Sequence, residues 1–353
     1  MKMKRQQRGL SLVELMIAML LGLILIAGVV EVYLSSRASY RLNRGLAQVQ
    51  EKGRFATAFL VHDIRMAGYT GCSGGSPASV VSTLDLQTAS DQFLYNFSHG
   101  LQGFDSYDGS TTWTPTIPTA LTDSTKVHAI QGTDVVAVRT VQGMGVHISE
   151  AMPKSSAELK VNNVESSDLQ PGDIVMLTDC SAAAVFQVTA VQTSADHIQH
   201  NTGDSDPGNS TKDLGQAFRI GSEVQKIATV TYFIGARDLS DTCASGTCGL
   251  YKKVGDGDPE ELVSGVTDLQ ALYGVDTDGD LTPNQYVTAD KVNDWNSVVS
   301  VKIAVLVESD DAATSKPATK PTYALLDTSV TPPNDMHMRK VFSDTIAIRN
   351  RVL

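Results

Sequence analysis

The sequence predicts an α+β protein in which one very long amino-terminal helix packs on a β-rich head. Three observations predict it. From Leu15 to Val30 sixteen residues pass without a charge, bounded by Glu14 and Glu31. A repeat of apolar residues at spacings of three and four then continues to Ala67, with no proline before Pro77. Beyond Gly75 the chain breaks into β-branched runs separated by Gly, Asn, Asp and Pro clusters.

The first element is the apolar run. With Leu10–Val13 and Val32–Leu34 added, it reaches about 25 residues, enough to cross a bilayer core of ~30 Å at ~1.5 Å per residue. Lys2, Lys4, Arg5 and Arg8 precede it, which predicts a cytoplasmic amino terminus and everything after Leu34 on the other side. Glu14 stands out, because a carboxylate at the start of a membrane span is costly and marks function.

The helix continues beyond the span. Leu42, Leu46, Val49, Gly53, Ala56, Leu60, Asp63 or Ile64, and Ala67 form one stripe, with Arg37, Arg41, Arg44, Gln48, Glu51, Lys52 and Arg54 on the other faces. Gly53 and Ala56 are poor coiled-coil seam residues, so the stripe suits packing on a sheet of the same chain. Gly68 and the Gly71, Gly74, Gly75 cluster end it.

The head is expected to hold strands at 134–141, 174–178, 184–191, 228–234, 249–254, 297–307 and 340–349. A short helix is expected over 260–273, and long surface loops over 73–125, 195–215 and 308–335. No repeat or linker divides this region, which favours one elaborated head. The 353 residues can bury a core without disulfides. The net charge of −11 argues against a nucleic-acid-binding surface, unless Arg339, Lys340, Arg349 and Arg351 are exposed together.

Arg8-Gly9-Leu10-Ser11-Leu12-Val13-Glu14 resembles the prepilin peptidase site of the type IV pilin and pseudopilin superfamily. The resemblance implies cleavage after Gly9, N-methylation of Leu10, and Glu14 as the fifth mature residue. The family usually has Phe or Met where this chain has Leu10. An assembling filament can offset the cost of Glu14 by pairing it with the charged amino terminus of a neighbouring subunit, making it an assembly residue. The resemblance divides the chain into a leader peptide (1–9), a transmembrane half-helix (10–34), an amphipathic half-helix (35–67) and a β-rich periplasmic head (68–353). Segments 66–72, 177–181, 185–188, 250–251, 272–276 and 342–351 look like the PilW family of minor pilins. That likeness implies a role in initiating or assembling a type IV pilus, at its tip. It implies partners among other minor pilins, the major pilin, the prepilin peptidase and the inner membrane. Two alternatives are a J-type pseudopilin of type II secretion and a membrane-anchored adhesin or DNA-uptake subunit.

Four cysteines in an exported domain suggest disulfides. Cys243-Ala-Ser-Gly-Thr-Cys248 closes a tight loop, which leaves Cys72 with Cys180. A zinc site is the alternative, but the usual CxxC spacing is missing. Asp276, Asp278 and Asp280 alternate as in the first half of a calcium loop, with Asn284 as a later ligand. Leu281 and Val287 depart from the Gly and Glu of an EF-hand, so calcium is the one cofactor the sequence allows and an acidic turn is the plain reading. Gly71-Cys-Ser73-Gly-Gly75 lacks the strand–turn–helix context of a nucleophile elbow. His197 and His200 lie in a polar stretch and read as solvated. His62 reads as a surface or interface residue. Nothing assembles a nucleophile, base and orienter, so no enzyme is expected.

Overall fold

The fold is a computed structural model describing residues 11–69, 80–107, 109–123, 125–179, 181–203, 206–243, 246–314 and 322–351. Helix α1 runs Leu12–Arg65, 54 residues without a break. It is ~80 Å long at ~1.5 Å per residue. Its residues up to Arg37 are all exposed. The buried face begins at Gly45 and continues through Val49, Gly53, Ala56, Leu60, Asp63 and Ile64. The helix stops at Met66, and Gly68 turns the chain away at φ +67, a conformation glycine adopts without a Cβ clash.

The head follows in chain order as β1 (Val80–Ser82), α2 (Ala89–Tyr95), β2 (Leu101–Phe104), β3 (Val135–His147), β4 (Glu158–Lys160), β5 (Ile174–Thr178), β6 (Ala183–Gln187), β7 (Ala190–Gln192), β8 (His197–Gln199) and β9 (Glu223–Ala236). It continues with β10 (Cys248–Val254), β11 (Glu260–Ser264), β12 (Val266–Val275), β13 (Gln285–Val287), β14 (Val298–Glu308), β15 (Tyr323–Leu325), β16 (Thr328–Val330) and β17 (Arg339–Ala347). Eight strands form the larger sheet, ordered β1-β6-β5-β9-β10-β11, with β3 paired to β9 and β2 to β3. The long β9 pairs with β3 from Glu223 to Tyr232 on one side, and β5 and β10 take successive parts of its other side. The smaller main sheet is β13-β12-β14-β17, all antiparallel. Strands β4-β8-β7 and the β15–β16 hairpin form two minor sheets.

The main core joins the buried face of α1 to both large sheets. Val49, Ala56, Leu60 and Ile64 meet one cluster with Val230 and Leu250 of the larger sheet and Leu269, Ile303, Val305 and Ile346 of the smaller. A second core, with Leu159, Phe186, Ile198 and Phe218, sits under the β4-β8-β7 sheet.

Several expectations change. No helix covers 260–273: β11 and β12 lie there, turned by Gly265 at φ +72. Val263, Val266, Leu269, Ala271 and Tyr273 are buried in the sheet core, and strand suits such β-branched and aromatic residues. The strand expected over 184–191 is two, β6 and β7, because Ala190–Gln192 leaves β5 behind to pair with β8. The expected loops hold structure among their described residues: β1, α2 and β2 in the first, β8 in the second, and the β15–β16 hairpin in the third. On α1, Leu42 and Leu46 are largely exposed and Gly45 takes their place on the buried face.

Gly53 shows why a small residue is required. A Cβ there would meet the Phe342 ring of β17 at 2.2 Å, and a Cβ at Gly45 would meet that of Ala313 at 2.5 Å. Helix and sheet thus approach more closely than larger side chains permit. Gly53→Ala is expected to destabilise the chain by about 1–3 kcal/mol. The double variant Gly53→Ala/Phe342→Ala should cost less than the sum of the two singles in denaturant unfolding. Strict additivity would show that the ring does not press on the helix.

Candidate functional site

The site built by this fold is the amino-terminal helix itself and the seam that holds it to the head. The first part is chemical contrast. From Leu12 to Leu34 every residue is exposed and nearly all are apolar. Such a length of helix, ~35 Å at ~1.5 Å per residue, needs an apolar medium or other helices around it. The region qualifies by length and composition as a membrane span.

Glu14 lies in the first turn of α1. Its Oε2 accepts hydrogen bonds from the Ser11 backbone N–H at 3.0 Å and the Ser11 hydroxyl at 3.1 Å. In return the Glu14 N–H donates to Ser11 Oγ at 3.2 Å. This is a reciprocal capping box that satisfies two otherwise unpaired donors at the helix start. The Ser-x-x-Glu spacing carried that signal. Gly9 and Leu10 lie outside the described residues.

The second part is the seam. At its upper end Asp63, 8% exposed, accepts a 2.6 Å hydrogen bond from the Tyr232 hydroxyl of β9 and a 3.2 Å bond from Lys252 Nζ of β10. Its other oxygen is 2.8 Å from His62 Nδ1. Burial pushes the Asp63 carboxyl up, but Tyr232, His62 and Lys252 outweigh burial and hold it below the usual carboxylate range. Burial and the neighbouring carboxylate push the Tyr232 hydroxyl the other way, so it stays protonated and donates. His62 itself projects outward, as a surface residue.

The last helix carbonyls are met by the far end of the chain. The Arg349 N–H donates to the Arg65 carbonyl at 3.0 Å. Asn350 Nδ2 donates to the carbonyls of Met66 at 3.3 Å and Ala67 at 3.1 Å. The Gly68 N–H in turn donates to the Arg139 carbonyl of β3 at 3.0 Å. Lower down, Lys52 pairs with Asp310. An orphaned helix end is costly when buried, so these contacts fix where the helix leaves the head.

The remaining candidates fall away from this seam. Cys243 and Cys248 form a disulfide with Cα atoms 5.5 Å apart, closing the turn between β9 and β10. Cys72 and Cys180 lie outside the described residues. The ligand atoms of Asp276, Asp278 and Asp280 lie within 4.8 Å of one another in the turn between β12 and β13. Asp276 accepts backbone N–H groups from Asp278, Gly279 and Leu281, and Asn284 donates to Asp278. The turn therefore holds its shape through its own backbone, with Leu281 at φ +65 where a calcium loop has glycine.

One condition set by the sequence is not met and one expectation is corrected. Arg339 does not join a surface basic patch: its side chain is 4% exposed and bonds Glu308 at 2.6 Å and Asp335 at 2.7 Å. Glu308 also accepts the Gly246 N–H, so three elements meet at one buried ion pair. His200 is not solvated but buried, with its ring 4.6 Å from that of Phe186. Burial holds its imidazole down to about 4. His197 opens β8, the middle strand of its sheet, with its Nδ1 2.9 Å from Glu158 Oε1.

Sequence reasoning missed Tyr232, Lys252, Phe342, Arg349 and Asn350 as partners of the helix. Asp63 on an otherwise apolar stripe signalled a buried partner, but nothing local names residues some 170 positions away.

Comparison with known proteins now bears on this geometry. Residues 4–30 match the prokaryotic N-terminal methylation motif. Together with a long apolar helix and a β-rich remainder, that match defines a type IV pilin-like protein. Residues 231–350 match the family described as Type IV Pilus-assembly protein W, PilW. Over these two stretches the chain is similar to PilW-like minor pilins. No curated protein matches it.

Asp63→Ala is expected to cost about 3–5 kcal/mol, because Lys252 and Tyr232 lose their common acceptor in a buried setting. Since folding lowers the Asp63 pKa, its contribution is complete above the unfolded value near 4 and is lost as pH falls through the lower folded value. Denaturation measured from about pH 6 down to about pH 2.5 should show a weaker acid loss in Asp63→Asn than in the wild type.

Proposed function

We propose that this chain is a minor pilin acting in initiation and assembly of a type IV pilus, at or near the filament tip. The observation that carries the reading is the exposed apolar half of α1, continuous with a second half held firmly by the head. A rod of this kind can lie in a membrane and then move, without refolding, into a bundle of similar helices. The description of the matched family as a pilus-assembly protein supports the pilus over a secretion system. It also supports a role in assembly rather than catalysis.

In this proposal the chain is made as a precursor with residues 1–9 as leader. Prepilin peptidase cleaves after Gly9 and Leu10 is methylated. Residues 10–34 cross the inner membrane once and residues 68–353 form the periplasmic head. Other minor pilins and the major pilin are the partners. Glu14, bound to Ser11 within its own chain, exchanges that contact for the charged amino terminus of a neighbour during assembly. Removing the leader takes away Lys2, Lys4, Arg5 and Arg8 and takes the formal charge from −11 to −15.

Amino-terminal sequencing after co-expression with a prepilin peptidase should find methylated Leu10. An uncleaved amino terminus would overturn the precursor reading. Glu14→Ala should leave membrane insertion intact and impair incorporation into filaments in a pilus-reconstitution assay. Normal incorporation would remove Glu14 from assembly.

A further inference from the structure

The turns of α1 just past the apolar run carry a face that the docking seam does not use. Tyr33, Arg37, Tyr40, Arg41 and Arg44 fall within about 100° of arc at 3.6 residues per turn. Gly45 borders it, about 40° round the helix from Arg41, and Val49, Gly53, Ala56 and Leu60, the rest of the face buried on the head, lie farther round. Tyr33 and Tyr40 are 62% and 67% exposed. Arg37 and Arg41 are exposed, and no carboxylate pairs with either among the described residues. Arg44 lies 3.8 Å from Asp311, with both side chains more than half exposed. A depression of about 290 Å³ lies here, lined by Arg37, Tyr40, Arg41 and Arg44 and bounded on the head side by Gly45 and Ala313, where the seam begins.

Position along the axis indicates what fills it. Beyond Leu34, Arg37, Arg41 and Arg44 stand about 4.5, 10.5 and 15 Å along the helix at ~1.5 Å per residue. Helical side chains lean toward the helix amino terminus, which here is toward the bilayer. The Arg37 and Arg41 guanidinium groups therefore reach back into the headgroup layer, where tyrosines also favour the interface. Three cations at this end of a span run against the usual bias of positive charge to the cytoplasmic side. A guanidinium offers paired donors that match a phosphate. We infer that Arg37 and Arg41, supported by Arg44, Tyr33 and Tyr40, form a binding site for an anionic phospholipid headgroup in the leaflet that borders the head. The inference rests on the membrane-anchoring reading of α1. The lipid holds the helix upright at its exit point until the subunit leaves the membrane.

The test uses the full chain reconstituted in phosphatidylcholine vesicles containing trace spin-labelled phosphatidylglycerol or spin-labelled phosphatidylcholine. The wild type should float with the vesicles and immobilise the anionic label about fivefold more strongly than the neutral one. The preference should shrink as salt rises. Arg37→Gln/Arg41→Gln should float equally well and lose the preference, while Arg37→Lys/Arg41→Lys should restore part of it. Both variants change exposed residues outside the seam, and an unchanged unfolding midpoint checks that the head is intact. Equal immobilisation of both labels by floating wild type, or a preference that survives Arg37→Gln/Arg41→Gln, would overturn the lipid site alone. A wild-type chain that fails to float would overturn the anchoring reading and the lipid site with it. A preference that depends on Arg44 and Asp311 but not on Arg37 and Arg41 would likewise refute the site as described.

Discussion

Everything in this molecule depends on the close approach between the second half of α1 and the sheets of the head. The approach is set by what is missing from the helix. Gly45 and Gly53 present no side chain where Ala313 and Phe342 come in. Close packing over Val49, Ala56, Leu60 and Ile64 then removes apolar surface from water on both sides of the seam. Dispersion and burial supply adhesion without direction, so they leave the helix free to slide or rotate. Direction comes from polar contacts placed at the upper end. Asp63 can satisfy Tyr232 and Lys252 in one arrangement only, and a slip of one residue would carry its carboxylate to another face. The Arg349 and Asn350 bonds to the last carbonyls fix the same end again from the opposite terminus of the chain.

That fixed end explains how one helix serves two environments. The half in contact with the head needs no stability of its own, because the sheets hold it. The other half has no partner in the chain, but every backbone group inside it is bonded within the helix, as a hydrocarbon surrounding demands. Between them lies no proline and no break. A head held rigidly to such a rod moves as one body with it, so a force or contact on the buried half is felt directly by the loops of the head.

Much of this was legible in the sequence because it rests on local pattern. The charge-free run, the three-and-four repeat and Gly68 place the helix within two residues of its observed ends. Strands 174–178 and 249–254 stand out because β-branched residues and turn formers bound them closely. The failures share one cause. Leu42 carries the right period, but the head begins to cover the helix only near Gly45, and Leu46, just past that point, falls at the flank of the buried face. Period alone does not say where a partner surface starts. Gly265 falls inside the helix expected over 260–273, whereas its positive φ makes it the hinge between β11 and β12. The buried site of His200 is produced by Phe186 on another strand, and Arg339 is buried because Glu308 and Asp335 converge on it. Long-range pairing of this kind leaves no mark at the residue itself.

The position of the family match sharpens the point. The PilW match spans 231–350, and that span contains Tyr232, Lys252, Phe342, Arg349 and Asn350. It also holds β10, β11, β12, β14 and β17, which share the core with α1, whereas β3, which meets the helix too, lies outside it. The methylation motif covers the opposite component, the first part of the rod. The two matched regions thus hold the exposed end of the rod and much of the socket, while the docking stretch from Gly45 to Ile64 lies in neither. The β4-β8-β7 sheet and its separate core lie in neither region. Among the described residues that unit contributes none to the seam, so changes on its surface leave the helix undisturbed. The physical demand on this chain is therefore uneven: strict where a glycine must meet a phenylalanine ring, and loose over the part of the head that faces outward.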